Sequence, residues 1–478
     1  MTSTPERLAA PGRAVLTLLC LAQALLIIDV VVVNVALPSI RADLAIPDGR
    51  LQLVSVGYTL TFGSLLIVFG RAGDLFGRRR LFRTGLSVFT VTSLATGLAQ
   101  TEWQLIAARA GQGVGAAMIA PTALALLTTA FEEGPRRTRA LGYWAAVGSA
   151  GAIGGQVLGG VVTSALGWRW IFLINVPLGA AAFLAARRHL AESTAPGRGA
   201  SVNVRGAVLL AACLACAVLA LTLLTEGGHP LPGGFLAATA LAALAGFLAS
   251  ERRHATPVID RHVLRTGHVA RANLLLAVNA GTLAATLFFT TLYLQVVLGH
   301  SALEVGLAFA PITLLVLLLS PRAAALVTRF GPRLPLAAGL LCLAAGMLLL
   351  SRLPEDGDYL HDVLPPFVLL AVGSALSYSP TFVIGTSAVP PADQGTASGL
   401  LNSAQELGTS TGVALLAALA AATSAPTALA TGYRTALITA ATCLILCLPL
   451  LHRLPGRPKP TPENDRAEQK NRSRRPRR

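Results

Sequence analysis

The chain has 478 residues, of which 54% are hydrophobic and only 13% are charged. Soluble domains carry about 25% charged residues, so this composition excludes an ordinary soluble protein and indicates a chain solvated by lipid. The net charge of +16 lies in short connections between apolar blocks and in a basic C-terminal segment, which favours membrane topology over nucleic-acid binding.

The apolar blocks are long enough to cross a bilayer, and they predict about fourteen membrane helices. Alternate connections between the blocks hold 20 arginines in one set and 5 in the other. The arginine-rich set is expected in the cytoplasm, which places both termini there, in a cell (inner) membrane. The predicted helix centres are Leu26, Leu60, Thr90, Ala117, Ala152, Val176, Leu214, Ala242, Ala284, Leu315, Leu341, Val372, Ala414 and Leu444.

The fold predicted from this pattern is all-α, with two six-helix bundles separated by two spacer helices. A weak internal sequence repeat supports the duplication, since Gly77 and Gly331 occupy equivalent turns after the second helix of each half. The predicted boundaries are a cytoplasmic tail at 1–12, an N-terminal bundle at 13–190, linkers and spacer helices at 191–270, a C-terminal bundle at 271–452 and a basic tail at 453–478.

In the first helix, Asp29 lies in the middle of an apolar run that continues through Asn34 to Pro38. An acid at the centre of a membrane helix costs about 2.5–3.5 kcal/mol on insertion scales, and it is tolerated when it is protonated, paired or facing water. Two interpretations remain open: Asp29 couples protons or substrate to movement, or it is hydrogen-bonded to hold helices together.

The turn after the second helix combines glycines with one acid and several arginines, and its candidate gating residues are Gly70, Asp74, Gly77, Arg78 and Arg79. Glycines permit a tight turn and close helix approach, while Asp74 can cap a helix and pair with an arginine. We therefore expect a latch between neighbouring helices. A plain positively charged loop would explain the arginines, although not the glycine spacing or the acid.

The fourth helix contains Arg109, followed by Gln112, Gly113 and Gly115. An arginine inside a membrane stays charged and requires a carboxylate or carbonyl partner. Asp29 is a candidate partner, and the alternative is an arginine that reaches the membrane surface or only braces helices.

In the fifth helix, Gly151, Gly155 and Gly159 recur at every fourth residue, beside Gln156 and Gly160. This spacing predicts a smooth face for close helix packing.

A further acid, Glu406, lies in the eleventh helix of the twelve-helix core. It could bind a cationic substrate or a second proton, or it could equally reach water at the cytoplasmic end.

Taken together, these segments resemble the major facilitator superfamily over nearly the whole chain. The turn at Gly70–Arg80 is similar to the signature loop after the second helix, and the Arg109 segment resembles the fourth-helix motif associated with proton coupling. The glycine-rich fifth helix resembles the antiporter motif, although Gln156 stands where that motif has proline. The helix count and the first-helix pattern resemble the fourteen-helix drug:proton antiporters of the QacA/EmrB type, with Val31 in place of a threonine.

This resemblance implies a proton-coupled antiporter that exports lipophilic molecules such as drugs or antibiotics by alternating access. We expect protons and the lipid bilayer as partners, no nucleic acid, no cofactor beyond the proton gradient, no metal and a functional monomer. The sequence has no Gly-Lys-Ser/Thr phosphate loop and no motif of an enzyme. The alternatives are a proton-coupled importer of the same fold and a membrane sensor that transports nothing.

Overall fold

The computed structural model describes residues 12–46, 53–192, 203–225, 230–254, 268–300, 302–354, 357–387, 389–423 and 429–454, and within them all regular structure is helical. The first half of the chain contains α1 (Arg13–Leu44), α2 (Leu53–Phe76), α3 (Arg78–Gly97), α4 (Glu102–Ala130), α5 (Pro135–Leu166), α6 (Arg169–Leu173) and α7 (Asn175–His189). The spacer helices are α8 (Val204–Thr225) and α9 (Pro230–Arg253). The second half contains α10 (Val269–Leu292), α11 (Ala302–Phe330), α12 (Arg333–Leu350), α13 (Leu364–Thr386), α14 (Gln394–Thr423) and α15 (Leu429–Leu446).

Every one of the fourteen predicted centres lies inside an α-helix. By length and composition, ten helices of the described residues can cross a membrane, with α6 and α7 together forming one of them. The remaining four are α3, α5, α8 and α14. Of these, α8 has only a short apolar stretch, Arg205–Ala217. The fourteen-span topology therefore stays a prediction.

The helices of each half form a bundle. In the first half α4 packs between α2 and α3 while α5 packs on α1, and in the second half α14 packs on α10 and α13 packs on α12. The halves meet where α2 contacts α14 and where α5 contacts α11. The spacer helices pack against each other, and α8 also contacts α2, so the pair lies at the side of the bundle.

The internal sequence repeat corresponds to a repeated backbone turn. Gly77 between α2 and α3 has φ 104°, and Gly331 between α11 and α12 has φ 78°. Both values lie in the region that glycine adopts without steric penalty. We call the end of the bundle that holds these two turns the latch end.

At the opposite end, a small polar network joins α1 to the start of α6. Arg169 lies 2.5 Å from the Asp43 carboxylate, and the Trp168 indole nitrogen donates to the same group at 3.1 Å. These hydrogen bonds lower the pKa of Asp43 below its usual value. Trp168 is buried, so of the two tryptophans that lead this span only Trp170 faces outward.

Candidate functional site

The two charges predicted inside the first half form a buried ion pair. Arg109 on α4 donates from Nη1 to Asp29 Oδ2 on α1 at 2.5 Å, and both side chains are 1% exposed. Arg109 Nε also reaches the carbonyl of Val54 on α2 at 3.4 Å. The arginine therefore braces three helices, and it is fully enclosed rather than extended to the membrane surface.

Neutral side chains occupy the remaining bonding positions of the Asp29 carboxylate. Oδ1 accepts from Asn175 of α7 at 2.8 Å and from Gln112 of α4 at 3.2 Å. Gln112 in turn accepts from Arg109 at 2.9 Å and donates to Ser93 of α3 at 2.8 Å. We call these five residues the Asp29 cluster. Both oxygens of its carboxylate accept hydrogen bonds, as a buried ion pair requires if it is not to destabilise the fold.

Two aromatic rings pack against the arginine of this cluster. The Arg109 guanidinium lies 4.5 Å from the centre of the Tyr58 ring and 5.5 Å from that of Phe172. Both rings are completely buried. A cation over aromatic faces in a dry site gains electrostatic stabilisation that water would otherwise weaken.

Glycines let α4 approach its neighbours closely enough to form the cluster. A Cβ at Gly113 would collide with the side chain of Thr61 and the carbonyl of Tyr58 on α2. A Cβ at Gly115 would lie 2.6 Å from the backbone nitrogen of Phe89 on α3. These two residues of the predicted fourth-helix motif therefore position Arg109 by permitting backbone contact.

At the latch end, Asp74 of the first half caps a helix of the second half. Its carboxylate accepts the backbone N–H groups of Gly395 and Thr396, the second and third residues of α14, each at 2.9 Å. The Thr396 hydroxyl donates to it at 3.0 Å, and Arg78 donates twice, at 2.6 and 3.0 Å. An acid at a helix N-terminus satisfies free N–H groups and favours the positive end of the helix dipole.

Close backbone packing accompanies this cap. A Cβ at Gly70 on α2 would lie 2.5 Å from the carbonyl oxygen of Gly395, and Gly399 packs against the same stretch of α2. Beside them, Arg71 lies 3.6 Å from Asp393, and Arg78 also donates to the carbonyl of Pro391. We call this set the latch cluster: Gly70, Arg71, Asp74, Arg78, Asp393, Gly395 and Thr396. Its members come from both halves, so it holds the halves together.

Of the predicted latch residues, Arg79 lies apart from this contact between halves. Its side chain donates to the carbonyl of Arg187 at 2.7 Å, and its backbone N–H donates to Glu192 at 3.1 Å. Arg79 therefore connects α3 to the end of α7 within the first half.

The glycine face of α5 packs against α1. A Cβ at Gly151 would lie 3.3 Å from Ile27, and one at Gly155 would lie 3.3 Å from Val31. One at Gly159 would lie 3.2 Å from the backbone of α1. Gly160 is half-buried. The side chains of three other predicted residues, Asn34, Pro38 and Gln156, lie outside the described part of the structure.

A cavity of about 210 Å³ lies between the two halves. Four helices of each half line it: α1, α2, α4 and α5 face α10, α11, α13 and α14. Its walls are mostly apolar, and Glu406 is the acid among the described lining residues. Glu406 lies in the middle of α14 rather than at its start. Its side chain lines the cavity and does not reach water at the end of the helix. Its side chain makes no ion pair or hydrogen bond within the described residues.

Asp29 does not line this cavity, although its neighbours Ile27, Val30 and Val31 do. Of the two acids that the sequence places inside membrane helices, only Glu406 lines the cavity, because the Asp29 side chain points away from it toward α4. A helix that is apolar all round gives no sequence signal for which face a single polar residue occupies.

Several residues at these sites escaped the sequence analysis. Asn175 could have been found from the sequence, since it is a lone amide in an apolar run, whereas nothing in the sequence distinguishes Tyr58. At the latch end, Arg137 of α5 is buried and donates to the carbonyl of Thr386, the last residue of α13, at 2.9 Å. In the sequence Arg137 is indistinguishable from the exposed arginines beside it.

No group of three His, Cys, Asp or Glu among the described residues could hold a metal ion. The six cysteines, all of them in the described part, are free, including Cys213 and Cys216.

Sequence comparison with known proteins gives a consistent result. A model of the Major Facilitator Superfamily matches residues 19–413. The cephamycin export protein CmcT of Amycolatopsis lactamdurans is 41% identical over 84% of this chain and 83% of that protein. The puromycin resistance protein pur8 of Streptomyces alboniger is 38% identical, with coverage of 84% and 80%. The multidrug resistance protein Stp of Mycobacterium tuberculosis is 33% identical, with coverage of 82% and 73%.

Solved structures share the fold at low sequence identity. The human organic anion transporter MFSD10 has a TM-score of 0.69 at 16% identity, covering 93% of this chain and all of that one. The proton:xylose symporter XylE has a TM-score of 0.66 at 13% identity, covering 93% of this chain and 96% of that one. These likenesses establish the all-helical architecture and nothing about the cargo.

Proposed function

The chain belongs to the Major Facilitator Superfamily, and from this premise we propose that it is a proton-coupled antiporter that exports small lipophilic organic molecules. Similarity to antibiotic export and resistance proteins supports an antibiotic or a drug as the cargo. The observation that carries proton coupling is the fully buried pair of Asp29 and Arg109. A membrane protein that only required helix packing would not need two opposite charges in its interior.

In the proposed mechanism a proton acts on the Asp29 cluster. Protonation of Asp29 removes the counter-charge of Arg109, and breaking a buried ion pair costs about 3–5 kcal/mol. The cluster then has to rearrange. This affects the cavity because α1 carries Asp29 on one face and the cavity residues Ile27, Val30 and Val31 on another. Movement of α1 relative to α4 would therefore change the cavity wall without direct contact between the proton site and the cargo.

The cargo would bind in the central cavity between the halves. Apolar walls that carry one carboxyl group among their described residues fit a lipophilic molecule, and a cationic one best. Glu406 has no protein partner among the described residues. It is therefore available to a cationic cargo or to a second proton, and we propose it as the carboxyl that distinguishes between charged and neutral cargo.

Alternating access would be controlled by the latch cluster. In this conformation the halves touch at the latch end, where Asp74 caps α14. We propose that this end is cytoplasmic, with both termini on the same side, because the arginine-rich connections belong there. Export would then require the latch to open for loading and to close for release.

We further propose a fourteen-helix protein of the drug:proton antiporter type that lies in the cell membrane and acts as a monomer. The proton gradient would be its sole energy source, with no cofactor and no chemical change to the cargo. The spacer helices α8 and α9 support this subtype, since they pack together at the side of the bundle and leave six helical segments in each half when α6 and α7 are counted as one.

Transport in reconstituted vesicles tests this function. Purified protein is inserted into vesicles, a pH gradient is imposed, and puromycin, lipophilic cations and neutral antibiotics are followed. We expect wild-type protein to move cargo against the proton flow and Asp29→Asn to lose the dependence on the gradient. Movement parallel to the protons would indicate an importer, and no gradient-dependent movement of any compound would contradict the proposal.

A further inference from the structure

Two buried polar side chains of the first half are among the residues that line the cavity, and each has one hydrogen-bonding atom without a partner in the described part of the chain. Gln23 of α1 is 7% exposed and Trp144 of α5 is 1% exposed. Gln23 Oε1 and Trp144 Nε1 have no hydrogen-bond partner among the described residues. Buried polar atoms are normally paired, and leaving them unpaired destabilises a protein. An unpaired donor and an unpaired acceptor on one cavity wall therefore point to a ligand that supplies the partners.

The packing of α1 against α5 brings these two residues to the same depth. The helices run parallel, because Gly151, Gly155 and Gly159 meet successively later residues of α1. Gly148 lies beside Ile27, with its Cβ position 3.6 Å from the Ile27 side chain. Trp144 and Gln23 each lie four residues, about one helical turn, before that contact. They therefore lie at about the same depth on one wall of the cavity.

The chemistry of the pair defines the group that it would bind. An indole N–H can only donate, while a glutamine amide both accepts and donates. A ligand group has to accept from Trp144 and donate to Gln23 at the same time, as a hydroxyl or a carboxamide does. A purely apolar cation offers neither property.

Glu406 and Tyr378 line the cavity from α14 and α13, in the opposite half. We propose that Gln23 and Trp144 form a hydrogen-bonding subsite for a hydroxyl or carboxamide group of the cargo, across the cavity from Glu406. This inference rests on the proposed export function and narrows its substrate class. The preferred cargo is an amphipathic molecule with a neutral polar group at one end and, where it is cationic, its charge toward Glu406.

Two probes separate this subsite from general cavity binding. Puromycin carries hydroxyl and amide groups together with an amine, whereas tetraphenylphosphonium is a lipophilic cation without any hydrogen-bonding group. Binding of each is measured by equilibrium dialysis with purified protein. The variants are Trp144→Phe and Gln23→Met, and Trp170→Phe is the matched control because that indole is 50% exposed and does not line the cavity.

We expect each cavity variant to weaken puromycin binding by about tenfold, which corresponds to the loss of one hydrogen bond to a buried site. Tetraphenylphosphonium binding should stay within about twofold of wild type, as should both probes with Trp170→Phe. Thermal melting of each variant checks that the fold is retained, and two independent cavity variants guard against a misfolded one.

Equal weakening of both probes would reduce Gln23 and Trp144 to packing residues and overturn the inference. Unchanged binding of puromycin would overturn it as well. In both cases wild-type binding would leave the proposed export function intact. Failure of wild-type protein to bind either probe would instead contradict the export function and, with it, this subsite.

Discussion

At the scale of single residues, the two intramembrane acids have different surroundings and therefore different chemistry. Asp29 is bonded to Arg109, Gln112 and Asn175 and is isolated from the cavity. Glu406 lines the cavity and has no bonding partner in the described part of the chain. Loss of charge at Asp29 disturbs a network that joins several helices, whereas loss of charge at Glu406 changes only what the cavity can bind.

The Asp29 cluster predicts that Arg109 cannot be replaced by another cation. Arg109 Nη1 reaches both Asp29 and Gln112 while Nε reaches Val54, a fork that a lysine ammonium cannot reproduce. We expect Arg109→Lys to lower gradient-driven transport by about tenfold or more, in keeping with the loss of charge-assisted hydrogen bonds. Initial rates in vesicles, normalised to the amount of inserted protein, measure this effect.

The control for that variant is Arg136→Lys, at an exposed arginine in the first turn of α5. It should transport at the wild-type rate. Wild-type transport by Arg109→Lys would mean that the cluster requires only a positive charge, and the geometric argument would then fail.

The cavity predicts that Glu406 affects cationic and neutral cargo differently. Removing its charge in Glu406→Gln keeps the shape of the side chain but eliminates the attraction for a cation. We expect binding of tetraphenylphosphonium to weaken by about tenfold, as for the loss of an ion pair in a partly dry site. Binding of a neutral antibiotic should change by less than about twofold. Equal losses for both, measured by dialysis, would indicate a structural role for Glu406.

Residue types in the sequence were enough to identify Asp29, Arg109 and Asp74, because charges in or beside an apolar helix are conspicuous. Because charges are scarce in these helices, Asp29 was the evident candidate for the partner of Arg109, and the structure pairs the two. Trp144 and Gln23 could not be found this way, since a tryptophan or glutamine in a membrane helix has many possible surroundings. Their role depends on helix rotation, which an apolar run does not encode.

At the scale of helices, small residues determine which pairs approach closely. The glycines of α5 against α1 and of α4 against α2 and α3 replace side-chain interdigitation with backbone contact. The sequence therefore predicted the packing face of α5 from its spacing of four. It could not predict that α1 is the partner, because the pattern on one helix does not identify the neighbour.

Gly159 and Gly154 provide a matched test of this packing. A Cβ at Gly159 would lie 3.2 Å from the Cα and carbonyl oxygen of Val32, and backbone atoms cannot easily move away. A Cβ at Gly154 meets nothing within 4 Å. We expect Gly159→Ala to destabilise the protein by about 1–3 kcal/mol through overpacking, whereas Gly154→Ala should be neutral or slightly stabilising.

Thermal melting in detergent compares the two alanine variants with wild type. Only the Gly159 variant should melt at a lower temperature. Identical melting of the two variants would show that α1 and α5 separate without cost, and the glycine face would then have no packing role.

Helix positions were predictable because span-length apolar blocks have few alternative structures in lipid. The sequence was less informative about α14, which contains Asn402, Gln405 and Glu406 and falls below the hydropathy of the clearest spans. This polarity has a physical reason, since α14 forms a cavity wall with these residues. One of the helices that are hardest to recognise as membrane helices therefore lies next to the proposed cargo site.

At the scale of the whole molecule, the first half contacts the α13–α14 connection of the second half with two opposite charges. Asp74 binds N–H groups at the start of α14, and Arg137 binds the Thr386 carbonyl at the end of α13, which also accepts from the Gln394 side chain. Each charge lies at the helix terminus whose dipole it complements. The two contacts should therefore stabilise the same closed arrangement of the latch end.

This arrangement predicts that weakening either contact shifts the protein toward a conformation open at the latch end. Asp74→Asn removes a charge that accepts five hydrogen bonds, and Arg137→Gln removes the donor to Thr386. Hydrogen bonds to charged groups contribute about 1.5–3 kcal/mol each, so the closed population should fall by about tenfold or more for Asp74→Asn. Arg136→Gln, at an exposed neighbour of Arg137, should leave the population unchanged.

Spin labels at Arg80→Cys and Leu334→Cys, in protein without its native cysteines, report the separation of the halves because both positions are exposed at the latch end. Pulsed dipolar spectroscopy should give longer distances for Asp74→Asn and Arg137→Gln than for wild type or Arg136→Gln. If both variants shift the distances, the two helix termini act as one gate. A shift with Asp74→Asn alone would restrict the gate to α14, and no shift with either would remove the latch cluster from the transport cycle.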